Sequence, residues 1–264
     1  MAPMNNRLLR PTTGLDPDAA TYLAAVEAAD GEPLEPAVRA AVNTFFKALK
    51  ADGLFDAIKA SCILCGARTL AGALVPLAGT APTNNNFVAA DYTRGGSTPG
   101  LVGNGSTKYL DSNSTGTSGG QDDAHFSVFC TVLPTSSGMN YIGRLVLGSA
   151  VAQSQTSGSN SFTALNDTTV ASTLATPSAN SLIGASRDSS TSFVHVSGDA
   201  TEVKASTSQS QSGANDFYVF SRNYAPSPQY SDARLAFYSI GESLDLEALG
   251  DAVSVLVTAI GAAV

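Results

Sequence analysis

The sequence predicts a mainly β protein, a β-sandwich or jelly roll with a helical region before it and one helix after it. Three observations carry that reading. Between Asp91 and Ser231 the chain is dominated by Ser, Thr, Gly and Asn interleaved with short alternating apolar runs, the pattern of half-buried strands joined by tight turns. Before Pro82 the apolar residues recur every three or four positions, and after it the period is two. From Ser243 the helical spacing returns. The predicted divisions are residues 1–80 for a helical N-terminal region, 81–242 for the sandwich and 243–264 for a C-terminal helix.

Residues 16–75 read as helical. Asp16 has the short acceptor side chain of an N-cap and Pro17 takes the first helical position, where its missing N–H is not needed. This helix runs through Tyr22, Ala25 and Val26 to the stop at Asp30-Gly31. A second follows with Val38, Val42, Phe45, Phe46 and Leu49 on one face, closed by Asp52-Gly53 and a short helical turn over Leu54 to Ile58. Five large apolar side chains on one face make a costly patch in water, so this stripe has to cover the sandwich or a neighbouring protein. Cys62 to Leu64 can begin a first strand.

In the β region, Phe126 to Val132 is apolar on both faces, as in a central strand covered on two sides. Further strands are expected at Tyr141 to Val151, Ser181 to Arg187, Ser192 to Ser197, Glu202 to Ser206, Asp216 to Arg222 and Arg234 to Ile240. Gly198-Asp199 supplies a tight turn, so the strands on either side of it form a hairpin. The last helix has a stripe of Leu246, Leu249, Val253, Leu256, Val257 and Ile260, with Ser243 as the expected cap and Asp245 and Glu247 where the helix dipole favours acids. Its other face, Ser254, Thr258, Gly261 and Ala262, is small enough for close approach by the sandwich or by another subunit.

Bulk properties narrow the function. A chain of 264 residues that is 43% hydrophobic can bury a core without staples. A net charge of −8 with no clustered Lys or Arg speaks against binding nucleic-acid phosphates. Cys62, Cys65 and Cys130 sit in apolar runs, as buried thiols do. The CxxC of Cys62 and Cys65 has no second pair, and His125 and His195 lie far from it, so a four-ligand zinc site is not expected. The start, Met1 to Pro11, lacks the apolar core of a signal peptide, which points to synthesis in a cytoplasm and release by a route such as lysis. The apolar tail from Ala252 to Val264 is too short to cross a bilayer and Pro76 interrupts the run from Leu70 to Leu77, so no membrane insertion is expected.

Candidate chemistry is sparse. Glu242, Asp245 and Glu247 resemble the acid cluster of sandwich-fold glycosidases, but they fall at i, i+3 and i+5 across a strand end and a helix start. They cannot all face one cleft. His195 shares a strand face with Phe193, which suits packing better than base catalysis. Asp122 and Asp123 before His125 suggest a polar turn, with a loose calcium site as the alternative. Gly95-Gly96 and Gly119-Gly120 precede no lysine-bearing helix and make no phosphate cradle. The expectation is therefore no catalytic, cofactor or metal site. Tryptophan is absent, so sugar contact would fall to Tyr92, Tyr109, Tyr141, Tyr224 or Tyr230.

Three stretches carry a family resemblance: Ala57 to Pro76 (AIKASCILCGARTLAGALVP), Leu101 to Asn113 (LVGNGSTKYLDSN) and Ala233 to Asp245 (ARLAFYSIGESLD). Together they resemble virion structural proteins of tailed bacteriophages, including cyanophages, that carry a laminin-G or concanavalin-like sandwich. The resemblance rests on framework residues and brings no catalytic motif. It implies a non-enzymatic, homo-oligomeric place among the capsid or tail proteins of a virion, as a capsid decoration (cement) protein or a tail or fibre component. The alternative is a glycan-binding module that recognises the host cell surface.

Overall fold

A computed structural model describes residues 14–145, 151–157, 159–167, 172–210, 215–224 and 228–264. The reading of Met1 to Pro11 and the middle of the run from Tyr141 to Val151 fall outside these residues. The chain opens with α1 (Pro17–Asp30), α2 (Pro36–Ala51), β1 (Ile58–Ile63), the single turn α3 (Leu70–Ala73), β2 (Pro76–Ala78), β3 (Thr83–Asn85), β4 (Tyr92–Thr93), β5 (Gly100–Val102) and β6 (Tyr109–Asp111). It continues with β7 (Ala124–Val132), β8 (Met139–Leu145), β9 (Val151–Ser157), β10 (Asn160–Asp167), β11 (Ser172–Ala175), β12 (Ser181–Ser189), β13 (Ser192–Ser197) and β14 (Ala200–Ala205). It closes with β15 (Tyr218–Val219), β16 (Arg222–Asn223), β17 (Arg234–Gly241) and α4 (Leu246–Ala263).

The local signals at the N-terminus fold as read. Asp16 caps α1 by accepting from the backbone N–H groups of Asp18 and Ala19, Pro17 opens the helix and Gly31 ends it in the left-handed region. The stripe of α2 is 0–2% exposed at Val38, Val42, Phe45, Phe46 and Leu49, a burial that contributes on the order of 10 kcal/mol before entropy. The expected helical turn after α2 is a 3-10 turn at Phe55–Ala57.

The strands form two sheets. The nine-stranded sheet runs β14-β13-β12-β7-β17-β1-β2, with β4 and β5 joined beside β17, and the eight-stranded sheet runs β11-β10-β9-β8-β15-β6-β3, with β16 on β8. Neighbours are antiparallel except β16 on β8. The sheet begins before residue 80: β1 overlaps the first strand expected at Cys62 to Leu64 and starts earlier, β2 follows at Pro76, and β1 pairs with β17 through Ser61 opposite Ser239 and Cys62 opposite Tyr238.

Two cores lie on opposite sides of the nine-stranded sheet. Phe126, Val128 and Cys130 of β7 enter the core between the sheets with Tyr238 and Ile240. Phe129 and Phe237 point the other way, into a second core closed by α1, α2 and α4. There the ring of Phe45 meets that of Phe237 edge to face at 5.8 Å. The expected central strand is therefore covered on both faces, by a sheet on one and helices on the other. The stripe of α2 finds its partner within the chain, against α4 and β17.

Two expectations for the last helix change. Its N-cap is Asp245 rather than Ser243, because the N–H of Ser243 is held by Asp123 and that of Leu244 by Ser186, which tie both residues to the strand ends, while Asp245 accepts from the N–H groups of Glu247 and Ala248. Starting at Leu246, α4 has 18 residues with a mean hydropathy of 1.6, long and apolar enough by length and composition to cross a membrane. Its apolar stripe lies in the helix-side core. On the small face Gly261 packs within the chain, where the N–H of Gly96 donates to its carbonyl at 3.2 Å and a Cβ on Gly261 would stand 2.4 Å from the Gly96 oxygen, while Thr258 and Ala262 are exposed.

Candidate functional site

The outer face of the eight-stranded sheet carries a cluster of tyrosines. Leu110 and Val219 pair across β6 and β15 and point into the core between the sheets, so Tyr109, Asp111 and Tyr218 point outward. Tyr109 stacks on Tyr218 with ring centroids 4.4 Å apart and planes at 29°, and Tyr230 leans on Tyr109 at 6.1 Å. All three rings are partly exposed. Partial burial, followed by the neighbouring Tyr109 and Asp111, pushes the Tyr218 hydroxyl up to about 12, so it is a proton donor at any physiological pH. Burial, followed by Asp111, also raises the Asp216 carboxyl. On the same sheet Arg222 lies over the ring of Tyr224 at 5.2 Å and donates to Gln153 Oε1 at 3.0 Å.

Of the five tyrosines expected to meet sugar, Tyr109 and Tyr230 come together in this cluster and Tyr224 stands apart from them with Arg222. Tyr141 is fully buried between the sheets and is corrected to a core residue, while Tyr92 is half-buried away from the cluster, with its hydroxyl donating to the Ala67 carbonyl at 2.9 Å. Tyr218 was missed. Period two over Asp216 to Arg222 is the signal that finds it, since Phe217 and Val219 turn inward and leave Tyr218 outside.

Both histidines sit in buried hydrogen-bond chains whose direction follows from donor chemistry. The Glu242 carbonyl can only accept, so His125 Nδ1–H donates to it; Nε2 then accepts from Ser239 Oγ at 2.9 Å, and Ser239 accepts from Ser127 at 2.9 Å. In the other chain the Glu202 carboxylate takes the single proton of Ser172 at 2.5 Å, so His195 Nδ1–H donates to Ser172 Oγ at 2.7 Å and Nε2 accepts from Thr163 at 3.0 Å. Burial pushes both imidazoles down to about 4.

Neither chain has the form of a nucleophilic triad. In the second, serine stands between the acid and the histidine and gives its proton to the acid, so the acid does not orient the base. In the first, Ser239 and His125 have the nucleophile–base form, but they are 0–1% exposed, beneath the helical layer, with a carbonyl in the acid's place. The three carboxylates at the end of the sandwich diverge: Glu242 pairs with Lys59 at 3.1 Å, Asp245 caps α4, and Glu247 accepts from Thr201 at 2.5 Å. Asp123 is taken up by Ser243, and among the described residues no three His, Cys, Asp or Glu side chains converge as a metal site would require. Cys62 faces the core between the sheets and Cys65 the helix-side core, and burial pushes both thiols and that of Cys130 up to about 12.

No protein-family model matches this sequence, and no curated protein matches it. Among solved structures it is similar to a mutant of Trypanosoma rangeli sialidase displaying trans-sialidase activity, with 11% identity and a TM-score of 0.36. The match covers 83% of this chain and 38% of that one, so the chain spans well under half of that structure, and a likeness of this size carries no argument about activity.

Proposed function

We propose that this chain is a non-enzymatic structural protein of a tailed-bacteriophage virion, made in the host cytoplasm and exposed on the particle as a capsid decoration or tail or fibre component among other capsid or tail proteins. The finer fold we assign with it is a concanavalin or laminin-G-like jelly roll. The observation that carries the reading is where the resembling stretches lie. Ala57 to Pro76 supplies β1, Leu101 to Asn113 supplies most of β5 and all of β6, and Ala233 to Asp245 supplies β17, which pairs with both β1 and β5. The stretches that carry the resemblance thus form mostly one contiguous ladder of framework, and the polar groups closest to a catalytic form are buried. Mass spectrometry of gradient-purified particles, with heads and tails separated, tests it. The chain is expected among the structural proteins at stoichiometric amounts, and its absence from clean particles rejects the proposal.

The tyrosine cluster favours a second reading, recognition of a host surface glycan. Aromatic faces flanked by carboxylate acceptors suit the C–H faces and hydroxyl groups of a neutral sugar. Titrating neutral oligosaccharides against the chain while following tyrosine emission is a direct readout, since tryptophan is absent. Tyr218→Ala should abolish a response that Tyr218→Phe keeps; equal binding by all three proteins removes this reading and leaves the particle assignment untouched.

A further inference from the structure

Strand β14 ends the nine-stranded sheet, with β13 on one side and, among the described residues, no strand on the other. Such an edge offers unpaired backbone donors and acceptors to any strand that can lie beside it. Its faces are set by the hairpin register: Glu202 stands opposite His195, Val203 opposite Val194 and Lys204 opposite Phe193. Glu202 and Lys204 therefore lie on the side facing the second sheet, and Thr201, Val203 and Ala205 on the helix side. Val203 is 69% exposed, above the other exposed large apolar side chains of the described residues. It borders a groove of about 510 Å³ shared with Val194, Val196, Leu244 and Leu246.

We propose that β14 pairs antiparallel with β14 of a second copy about a two-fold axis through Val203, joining the two nine-stranded sheets. The charge pattern selects both the occupant and the register. A two-fold normal to the sheet keeps each residue's face, so only registers centred on a residue are allowed. Centring on Glu202 sets Glu against Glu, and centring on Lys204 sets Lys against Lys. Centring on Val203 sets Glu202 of each copy against Lys204 of the other, Thr201 against Ala205, and Val203 against Val203. Charges at an edge commonly repel a neighbouring strand, but here the alternation of sign makes the edge complementary to itself. Within one chain Lys204 reaches Glu202 only at 3.7 Å with both side chains partly exposed, a loose contact that pairing across the axis replaces. The contact rests on the edge geometry and is independent of the particle assignment.

Sedimentation velocity of the full chain from low to high micromolar concentration is expected to show a monomer–dimer equilibrium. Lys204→Glu, which sets Glu against Glu twice and leaves the bond between Ser172 and Glu202 in place, should weaken it about tenfold or more. A cysteine pair reads the register. Residues directly opposite across such a ladder have Cβ atoms about 4.5–5.5 Å apart, close to disulfide reach, so Val203→Cys should cross-link between copies under copper phenanthroline. Thr201→Cys, two places off the axis, should not, and the native thiols are buried. A chain that stays monomeric throughout, a dimer indifferent to Lys204→Glu, or equal cross-linking at both positions overturns the proposal. Melting curves matching the unsubstituted chain show that the variants fold.

Discussion

Two histidines are held neutral at the centre of hydrogen-bond chains, and that sets how the protein responds to acid. Burial lowers His125 and His195 to about 4, against 6.5 in an open chain. As pH falls below 6.5 the unfolded state takes up a proton at each that the folded state refuses until about 4, so the stability contribution is complete above 6.5 and is lost across that window. The full loss is on the order of 3 kcal/mol per histidine. Urea unfolding at pH 7 and at pH 4.5 should show a fall of several kcal/mol, and a flat profile would mean the imidazoles are charged or open to solvent. Little of this was legible in the sequence. The face shared by His195 and Phe193 marked a packed residue, but the partners Ser172 and Thr163 belong to the other sheet, and no local spacing reveals them. The surface tyrosines were half legible: residue type named Tyr109 and Tyr230, while exclusion of Tyr141 needed the stacking of two sheets.

At the scale of elements, caps and turns were the most readable features because their chemistry is local. Asp16, Gly31 and the turn at Gly198 do what their side chains, or the lack of one, dictate. Of β1 only the end was readable, as the strand expected at Cys62 to Leu64, since a short segment between helices that mixes Lys59 and Ser61 with apolar residues shows no clear period. The run from Asp216 to Arg222 divides into β15 and β16 because Phe220 adopts a φ of 68°, a left-handed conformation rare for a bulky residue. What decides there is tertiary: the Phe220 ring is buried at 5.0 Å from Phe87. The seam between α2 and β17 can be tested directly. Phe45→Ala should cost about 3–5 kcal/mol, the loss of a buried ring together with its cavity. Phe45→Leu should cost much less, and equal midpoints of chemical unfolding for the Ala variant and the unsubstituted chain would show that the helix does not depend on this contact.

For the molecule as a whole, the nine-stranded sheet is a wall shared by two cores. Removing residues 14–57 strips α1 and α2 from that wall and lays Phe237 and the stripe of α4 open to water. The truncated chain is expected to aggregate or to melt well below the full chain, as light scattering and calorimetry would record. A soluble truncation with an unchanged melting temperature would mean that the helices are an appendage. The order of the wall also governs how the protein comes into being on the ribosome. β17, flanked by β1 on one side and β7 on the other, is the last strand to be synthesised, and the bond from Ser61 to the Tyr238 carbonyl spans 177 residues. Until β17 emerges, β1 has no partner on that side and the helical layer has only part of its floor, so the chain completes its fold late, through contacts far apart in sequence. Truncated translation products that end before Arg234 would thus be targets for proteases and chaperones, and only full-length chains would reach a stable form.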